Sequence, residues 1–186
     1  MKRIFDLALA LMLALLLLLP LVLLALAVSF TSPGPILYWS DRVGRNNTIF
    51  KMPKFRSMHS GTPAVATHLL IEPDVYLTPI GSFLRRSSLD ELPQLWNIMK
   101  GDMSFVGPRP ALFNQYDLIE LRTLSGVHTL LPGLTGWAQI NGRDELPIVQ
   151  KVALDTDYMN KKSFWFDIRI IILTALKVIK RDNVMH

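Results

Sequence analysis

Ser87-Ser88-Leu89-Asp90-Glu91-Leu92-Pro93-Gln94-Leu95 sets two adjacent carboxylates into an otherwise apolar and basic neighbourhood. Ser88, with Glu91 three residues on and an apolar run behind it, reads as a capping box at a helix start. Leu92, Leu95, Trp96 and Met99 recur at helical spacing, and Gly101 is placed to end the helix. Asp90 and Glu91 are therefore expected in a first helical turn, where the positive end of the dipole favours ionised carboxylates. Such a pair suits an anionic nucleophile or a metal ligand. It suits a plain structural cap equally well.

Working outward, Arg85 and Arg86 precede the pair, and Arg109 follows within Gly107-Pro108-Arg109-Pro110. Arg143 ends Asn141-Gly142-Arg143. Arginine grips phosphate through two parallel hydrogen bonds. Two acids among arginines on Gly/Pro-shaped loops match the needs of phosphoryl transfer assisted by a metal. The alternative is ordinary surface ion pairing, which carries little energy.

A chain of 186 residues is long enough for one domain plus a membrane element. Half of the residues are hydrophobic, yet the formal net charge is +5. That combination points to a membrane surface or phosphorylated ligands. Nucleic acid is not an expected partner, because no basic helix carries interleaved aromatics. The chain has no cysteine, which excludes disulfides and thiolate-bound metals.

From Leu7 to Val28 every residue is apolar, with Pro20 the one interruption. As one helix the run would measure about 33 Å, enough to cross a bilayer core of about 30 Å. Three readings compete: a cleaved signal peptide, for which the run is too long; a single span; and a helix that enters, breaks at Pro20 and returns. Lys2 and Arg3 lie before the run, and Arg42, Arg45, Lys51, Lys54 and Arg56 after it. The positive-inside rule wants both flanks on one side, which a re-entrant hairpin satisfies and a single span does not.

Beyond a breaker cluster at Thr31 to Pro35, Ile36–Ser40 and Thr48–Met52 read as strands joined by a turn through Gly44 to Asn47, with Pro53 ending the second. Ser57 to Leu77 lacks periodicity and reads as a mobile loop whose His59 and His68 lack ligand spacing. Thr78-Pro79 reads as a cap and first turn. A helix is expected over Ala111–Leu124, with Leu112, Tyr116, Ile119 and Leu121 on one face. A short strand is expected at Trp137–Ile140, and a helix over Glu145–Asn160. In that helix Asp155 and Asp157 are either ligands or exposed charges, with exposure favoured. Ser163 to Arg181 is amphipathic, with Asp167, Arg169, Thr174, Lys177, Lys180 and Arg181 on the polar side, which suits a helix in the membrane interface better than a core helix.

The run Ser88 to Asn97, the run Lys100 to Pro110, Lys54-Phe55-Arg56-Ser57-Met58, and Pro132 to Arg143 together resemble the bacterial sugar transferases, the monotopic polyprenyl-phosphate phosphoglycosyl transferases. The length resembles small members such as the diacetylbacillosamine phosphate transferases. The resemblance implies an α+β, mostly helical fold: a re-entrant helix-break-helix over residues 1–30, then a catalytic domain over 31–186 with a short β-hairpin, a catalytic helix N-terminus and amphipathic interfacial helices. Relatives carry Ser-Pro at the break, whereas this chain has Leu19-Pro20.

It further implies transfer of a sugar-1-phosphate from a UDP-sugar, expected to be an N-acetylated amino sugar, to undecaprenyl phosphate at the cytoplasmic face of the bacterial inner membrane, with UMP released. This is a first membrane step of glycoconjugate assembly. Asp90 would be the nucleophile and Glu91 its catalytic partner, both holding Mg²⁺; spacing alone does not say which acid attacks. Arg85, Arg109, Arg143, Lys54 and Arg56 would bind phosphate. Membrane phospholipids are expected partners, and the oligomeric state stays open, a homodimer included. Two rivals are a membrane phosphatase or nucleotide hydrolase using the same acids, and a non-enzymatic membrane adaptor.

Overall fold

A computed structural model describes residues 1–63, 65, 70–142 and 146–180, the side chains of residues 179 and 180 excepted. Leucine and alanine, strong helix formers, dominate the start. Helix α1 covers Lys2–Leu16 and α2 covers Leu18–Thr31, with a bend of 63° between them. The expected break at Pro20 lies three residues earlier, at Leu17. Proline cannot donate to the Leu16 carbonyl and its ring crowds that carbonyl, so the ladder stops upstream. Pro20 then sits in the first turn of α2, where its missing N–H has no intrahelical partner to lose. At 1.5 Å per residue the two helices measure about 22 and about 21 Å. Among the described residues no single helix is long and apolar enough to cross a membrane, although this bent pair is apolar enough when taken together.

Both ends of the pair dock on the same body. Lys2 Nζ donates to the Val106 carbonyl at 3.0 Å and pairs with Asp167 at 2.5 Å. Arg3 donates to the carbonyls of Ile98 and Met99, in the last turn of a later helix. At the other end, Arg56 donates to the Ser32 carbonyl at 2.6 Å, to Ser32 Oγ at 2.8 Å and to the Pro33 carbonyl at 2.8 Å. Lys2 and Arg3, read from sequence as flanking charges, are internal fasteners.

Strands β1, Leu37–Val43, and β2, Ile49–Phe55, form an antiparallel ribbon with Trp39 opposite Pro53. Both run three residues beyond their expected ends. The Arg56 N–H bonds the Ile36 carbonyl, so by alternation Pro53 falls at a non-hydrogen-bonded position where no ladder donor is required. Part of the expected loop is ordered by an isolated bridge between Met58 and Leu77 and by a 3₁₀ turn at Pro73–Tyr76. Helix α3, Gly81–Arg86, starts after Thr78, whose hydroxyl caps nothing.

A 3₁₀ segment, Leu89–Gln94, leads into α4, Leu95–Lys100, which Gly101 ends at φ 103° as expected. Two short parallel strands follow, β3 at Ser104–Val106 and β4 at Gly133–Thr135. They approach so closely that a Cβ on Gly107 would lie 2.3 Å from the Leu131 carbonyl oxygen, and one on Gly133 2.1 Å from Gly107 N. The strand expected at Trp137–Ile140 is instead a helical turn, α6, closed by Ile140 N–H to the Gly136 carbonyl.

Helix α5 covers Tyr116–Leu124 and starts later than expected, because Leu112 bridges Arg42 and gives its N–H to Gln115 Oε1. Its buried face centres on Leu118 and Arg122; Ile119 and Leu121 of the expected face pack beside them, whereas Tyr116 is exposed. Helix α7 covers Ile148–Lys161 and α8 covers Phe164–Lys180; the expected start at Glu145 and end at Arg181 lie outside the described residues.

The main core joins Ala10 of α1, Phe50 and Met52 of β2, Ile98 of α4, Phe105 and Val106 of β3, Tyr158 of α7 and Ile170 of α8. The architecture is α+β and 58 % helical, as expected for a mostly helical chain. Helix α8 packs Ile170 into the core and keeps two polar groups on the same inner side. Asp167 is buried and accepts from Tyr158 at 2.7 Å, and Thr174 meets Thr135 at 2.7 Å. Trp165, Ile172, Leu176 and Val178 face outward. The adjoining outer faces of α1 and α2 expose Leu11, Leu15, Leu19, Leu23 and Phe30, so a broad apolar surface accompanies the bent pair.

Candidate active site

Ser88 adopts the left-handed conformation, φ 56° and ψ 18°, and makes no side-chain cap. A residue other than glycine there is strained by about 1–2 kcal/mol. The capping box does not form, because Glu91 has stronger partners: its Oε1 accepts Lys54 Nζ at 2.8 Å and Arg109 Nη2 at 2.9 Å. Two charge-assisted bonds outweigh one backbone N–H. Pro93 cannot join an α ladder, so the carboxylates ride a 3₁₀ segment and α4 proper begins only at Leu95.

Asp90 is 7 % exposed. Burial pushes its carboxyl above the ordinary range; Lys54 pulls it down, Glu91 adds to the rise, and Arg85 and Arg109 pull down further. The dipole of a first turn does not win here: desolvation is the larger effect. Burial also lowers Lys54, against the pull of Glu91 and Asp90. Asp90 lines an open cavity of about 660 Å³ together with Lys54, Arg85, Arg42, Tyr38 and Trp39.

Five of the residues singled out from the sequence converge here: Asp90, Glu91, Lys54, Arg85 and Arg109. Arg85 reaches Met58 Sδ at 3.2 Å and faces the cavity. Arg109 approaches Glu91 from a smaller pocket that Arg122 and His128 also line. Arg56 borders the cavity while its guanidinium bonds Ser32 and Pro33. His59 is exposed at the cavity rim. Arg143 and His68 lie outside the described residues.

No group of three or more His, Cys, Asp or Glu able to hold a metal occurs among the described residues. Of the adjacent carboxylates, Asp90 lines the cavity while Glu91 is held by Lys54 and Arg109.

Arg42 and Tyr38 were not picked from the sequence. They share the face of β1 that carries Lys54 across the ribbon, Tyr38 being paired with Lys54, and period-2 spacing along the strand was the signal for both. Asp155, favoured as an exposed charge, is 1 % exposed and takes both Nε and Nη2 of Arg122 on Oδ2, at 3.0 and 2.6 Å. It lies three residues from both Val152 and Tyr158 on the buried face of α7. Burial raises its carboxyl while Arg122 lowers it. Asp157 is the outward one, paired with Lys161 at 2.7 Å.

The segment around Arg109 is gripped carbonyl by carbonyl. Val106 O accepts Lys2 and Tyr158, Pro108 O accepts Gly133 N–H, Arg109 O accepts Arg122 at 2.7 Å, and Pro110 O accepts Arg42 at 3.2 Å. Pro108 and Pro110 have no N–H of their own, so the segment cannot pair internally and is held from five neighbouring elements.

The chain is 44% identical over 164 residues to the UDP-glucose:undecaprenyl-phosphate glucose-1-phosphate transferase of Xanthomonas campestris pv. campestris, covering 82% of this chain and 33% of that protein. It is 43% identical over 186 residues to the protein of the same name from Escherichia coli (strain K12), covering 95% and 40%. With the uncharacterized sugar transferase EpsL of Bacillus subtilis (strain 168) it shares 35% identity over 186 residues, covering 100% and 91%. The chain thus spans 33% and 40% of the first two relatives' lengths and nearly all of the third. The bacterial sugar transferase family matches residues 1–181, and the chain belongs to that family.

Proposed function

We propose that the protein moves a sugar-1-phosphate from a UDP-sugar to undecaprenyl phosphate, giving undecaprenyl-diphospho-sugar and UMP, as the first membrane step of glycoconjugate assembly. The observation that carries this reading is the buried Asp90 carboxyl on the wall of a cavity that also presents Lys54, Arg85 and Arg42. Both reactants are polyanions, so cations must neutralise them before they can meet, and a covalent intermediate divides the transfer into two easier displacements.

Asp90 attacks the β-phosphorus of the donor. The Asp90 O–P bond forms as the bond to the bridging oxygen breaks, and UMP leaves with that electron pair. A phosphate oxygen of undecaprenyl phosphate then attacks the same phosphorus and frees the Asp90 carboxylate. Lys54 and Arg109 hold Glu91, and with Arg85 they lower the Asp90 carboxyl toward its reactive anion. Arg143 and Arg56 complete the phosphate-binding set, Arg56 also fastening the end of α2. A magnesium ion held through Asp90, Glu91 and donor phosphates would supply further charge neutralisation.

The bent pair α1–α2 enters and leaves the inner membrane on its cytoplasmic face. The docking of both its ends on one body supports a hairpin that returns to the side from which it enters. With the outward apolar side of α8 in the headgroup region, the cavity stands where a soluble donor meets a lipid phosphate. The resemblance favours an N-acetylated amino sugar. The names of the two glucose-1-phosphate transferases among the relatives favour glucose.

The test is incubation with donor alone, labelled in the sugar phosphate. Trapped protein should carry the label and release an equal amount of UMP, whereas Asp90→Asn should do neither. Lipid product formed without any adduct would rule out the covalent route. A panel of UDP-sugars identifies the donor.

A further inference from the structure

Arg122 and Asp155 form a buried ion pair that the chemistry above does not use. Arg122 is 7 % exposed and Asp155 1 %. Two of the guanidinium's nitrogens face Asp155, and the third, Nη1, donates to the Arg109 carbonyl at 2.7 Å. A buried ion pair is a poor device for stability, since an apolar pair of the same volume commonly serves as well or better. Its geometry suits a different task. The fork of Arg122 is locked in plane by Asp155, and what it then presents is one donor aimed at the backbone of Arg109. From the other end of that same residue, Nη2 reaches Glu91 at 2.9 Å, beside Asp90.

Neighbouring grips fix the segment but not this peptide. Arg42 holds the next carbonyl and Gly133 the preceding one. The prolines on either side limit which backbone shapes Arg109 can take without deciding where its guanidinium lands.

We infer that Arg122, oriented by Asp155, is a positioning residue for the transfer: it sets the backbone of Arg109 so that the Arg109 guanidinium stays on Glu91. The inference rests on the function proposed above. It adds a line of action running from α7 through α5 to the acidic pair, begun by two residues, Asp155 and Arg122, that do not line the cavity.

The experiment replaces the buried pair with apolar side chains of similar size, Arg122→Met with Asp155→Leu, in the full chain. Turnover with UDP-sugar and undecaprenyl phosphate is measured alongside melting. The double variant should melt within a few degrees of wild type while kcat falls about 10- to 100-fold, with a smaller change in the donor KM. In an Arg109→Gln background the same double change should lower kcat less than about 2-fold further, because the effect is routed through Arg109. Wild-type kcat in the folded double variant overturns the inference. So does a loss that multiplies fully with that of Arg109→Gln. If the double variant does not fold, Arg122→Lys, which keeps the charge that Asp155 requires but not the fork, is scored by the same two outcomes. Failure of the underlying function would show separately, as absence of UMP release by the wild-type protein.

Discussion

Lys54 and Glu91 meet at 2.8 Å with both side chains largely buried, although 37 positions separate them in the chain. The end of β2 delivers the lysine beneath the 3₁₀ segment that carries the acids. Glu91 is thereby neutralised by Lys54 and Arg109, and Asp90 is left as the carboxyl facing the cavity. This division of roles between adjacent acids comes from their surroundings, since their chemistry is nearly the same.

Asp90→Asn should stabilise the protein near neutral pH. The folded-state pKa of Asp90 is raised, chiefly by burial. Its favourable contribution is therefore present below the unfolded value near 4 and lost as pH rises through the folded value. In chelator-treated samples the variant should melt higher at pH 8, by about 2–4 °C for each kcal/mol of relieved burial. The gap should close toward pH 4. Equal melting at both pH values would contradict the placement of this carboxyl.

Lys54→Met removes the strongest influence holding the Asp90 carboxyl down. The Asp90 carboxyl then ionises at higher pH, so the acid limb of kcat/KM should move upward. Glu91 keeps Arg109, and folding should survive. A pH profile with an unmoved acid limb would show that Lys54 does not govern Asp90.

Gly107→Ala should damage both stability and turnover. Its added methyl would meet the Leu131 carbonyl oxygen at 2.3 Å, and the neighbouring atoms are backbone with no rotamer to yield. Forcing β3 from β4 should cost about 1–3 kcal/mol or more and displace Arg109 two residues on. Thermal melting and UMP release measured on the same preparation check both effects.

The outward face of α8 should bind membrane without supporting the fold. Replacing Trp165, Ile172 and Leu176 by serine removes exposed apolar groups. Partition into vesicles should fall several-fold, with melting moved by no more than about 2 °C. Cysteines introduced at the exposed Ile4 and Arg45 should both be labelled by an impermeant thiol reagent only from the cytoplasmic side. Labelling of the two from opposite sides would mean that the bent pair crosses.

The features legible in the sequence were those set by near neighbours. The leucine-rich start forms helix, proline forces a break close to its own position, and Gly101 ends α4. Asp90, Glu91, Arg85 and Arg109, which stand out by their order along the chain, meet at one site. The helix, the break and the helix end each depend on backbone sterics or spacing within a few residues, which a linear pattern records directly.

Contacts between distant residues decided the rest. Glu91 abandons its cap because Lys54 and Arg109 arrive from other elements. Asp155 goes inside because Arg122, 33 positions away, is there to meet it. Asp167 turns inward toward Lys2 across 165 positions, while the apolar residues of α8 divide between the core, at Ile170, and the outer surface, at Trp165 and Ile172. An ionisable side chain is buried only when a partner offsets its lost hydration. The sequence supplied both members of every such pair, and only the tertiary structure selected which two would meet.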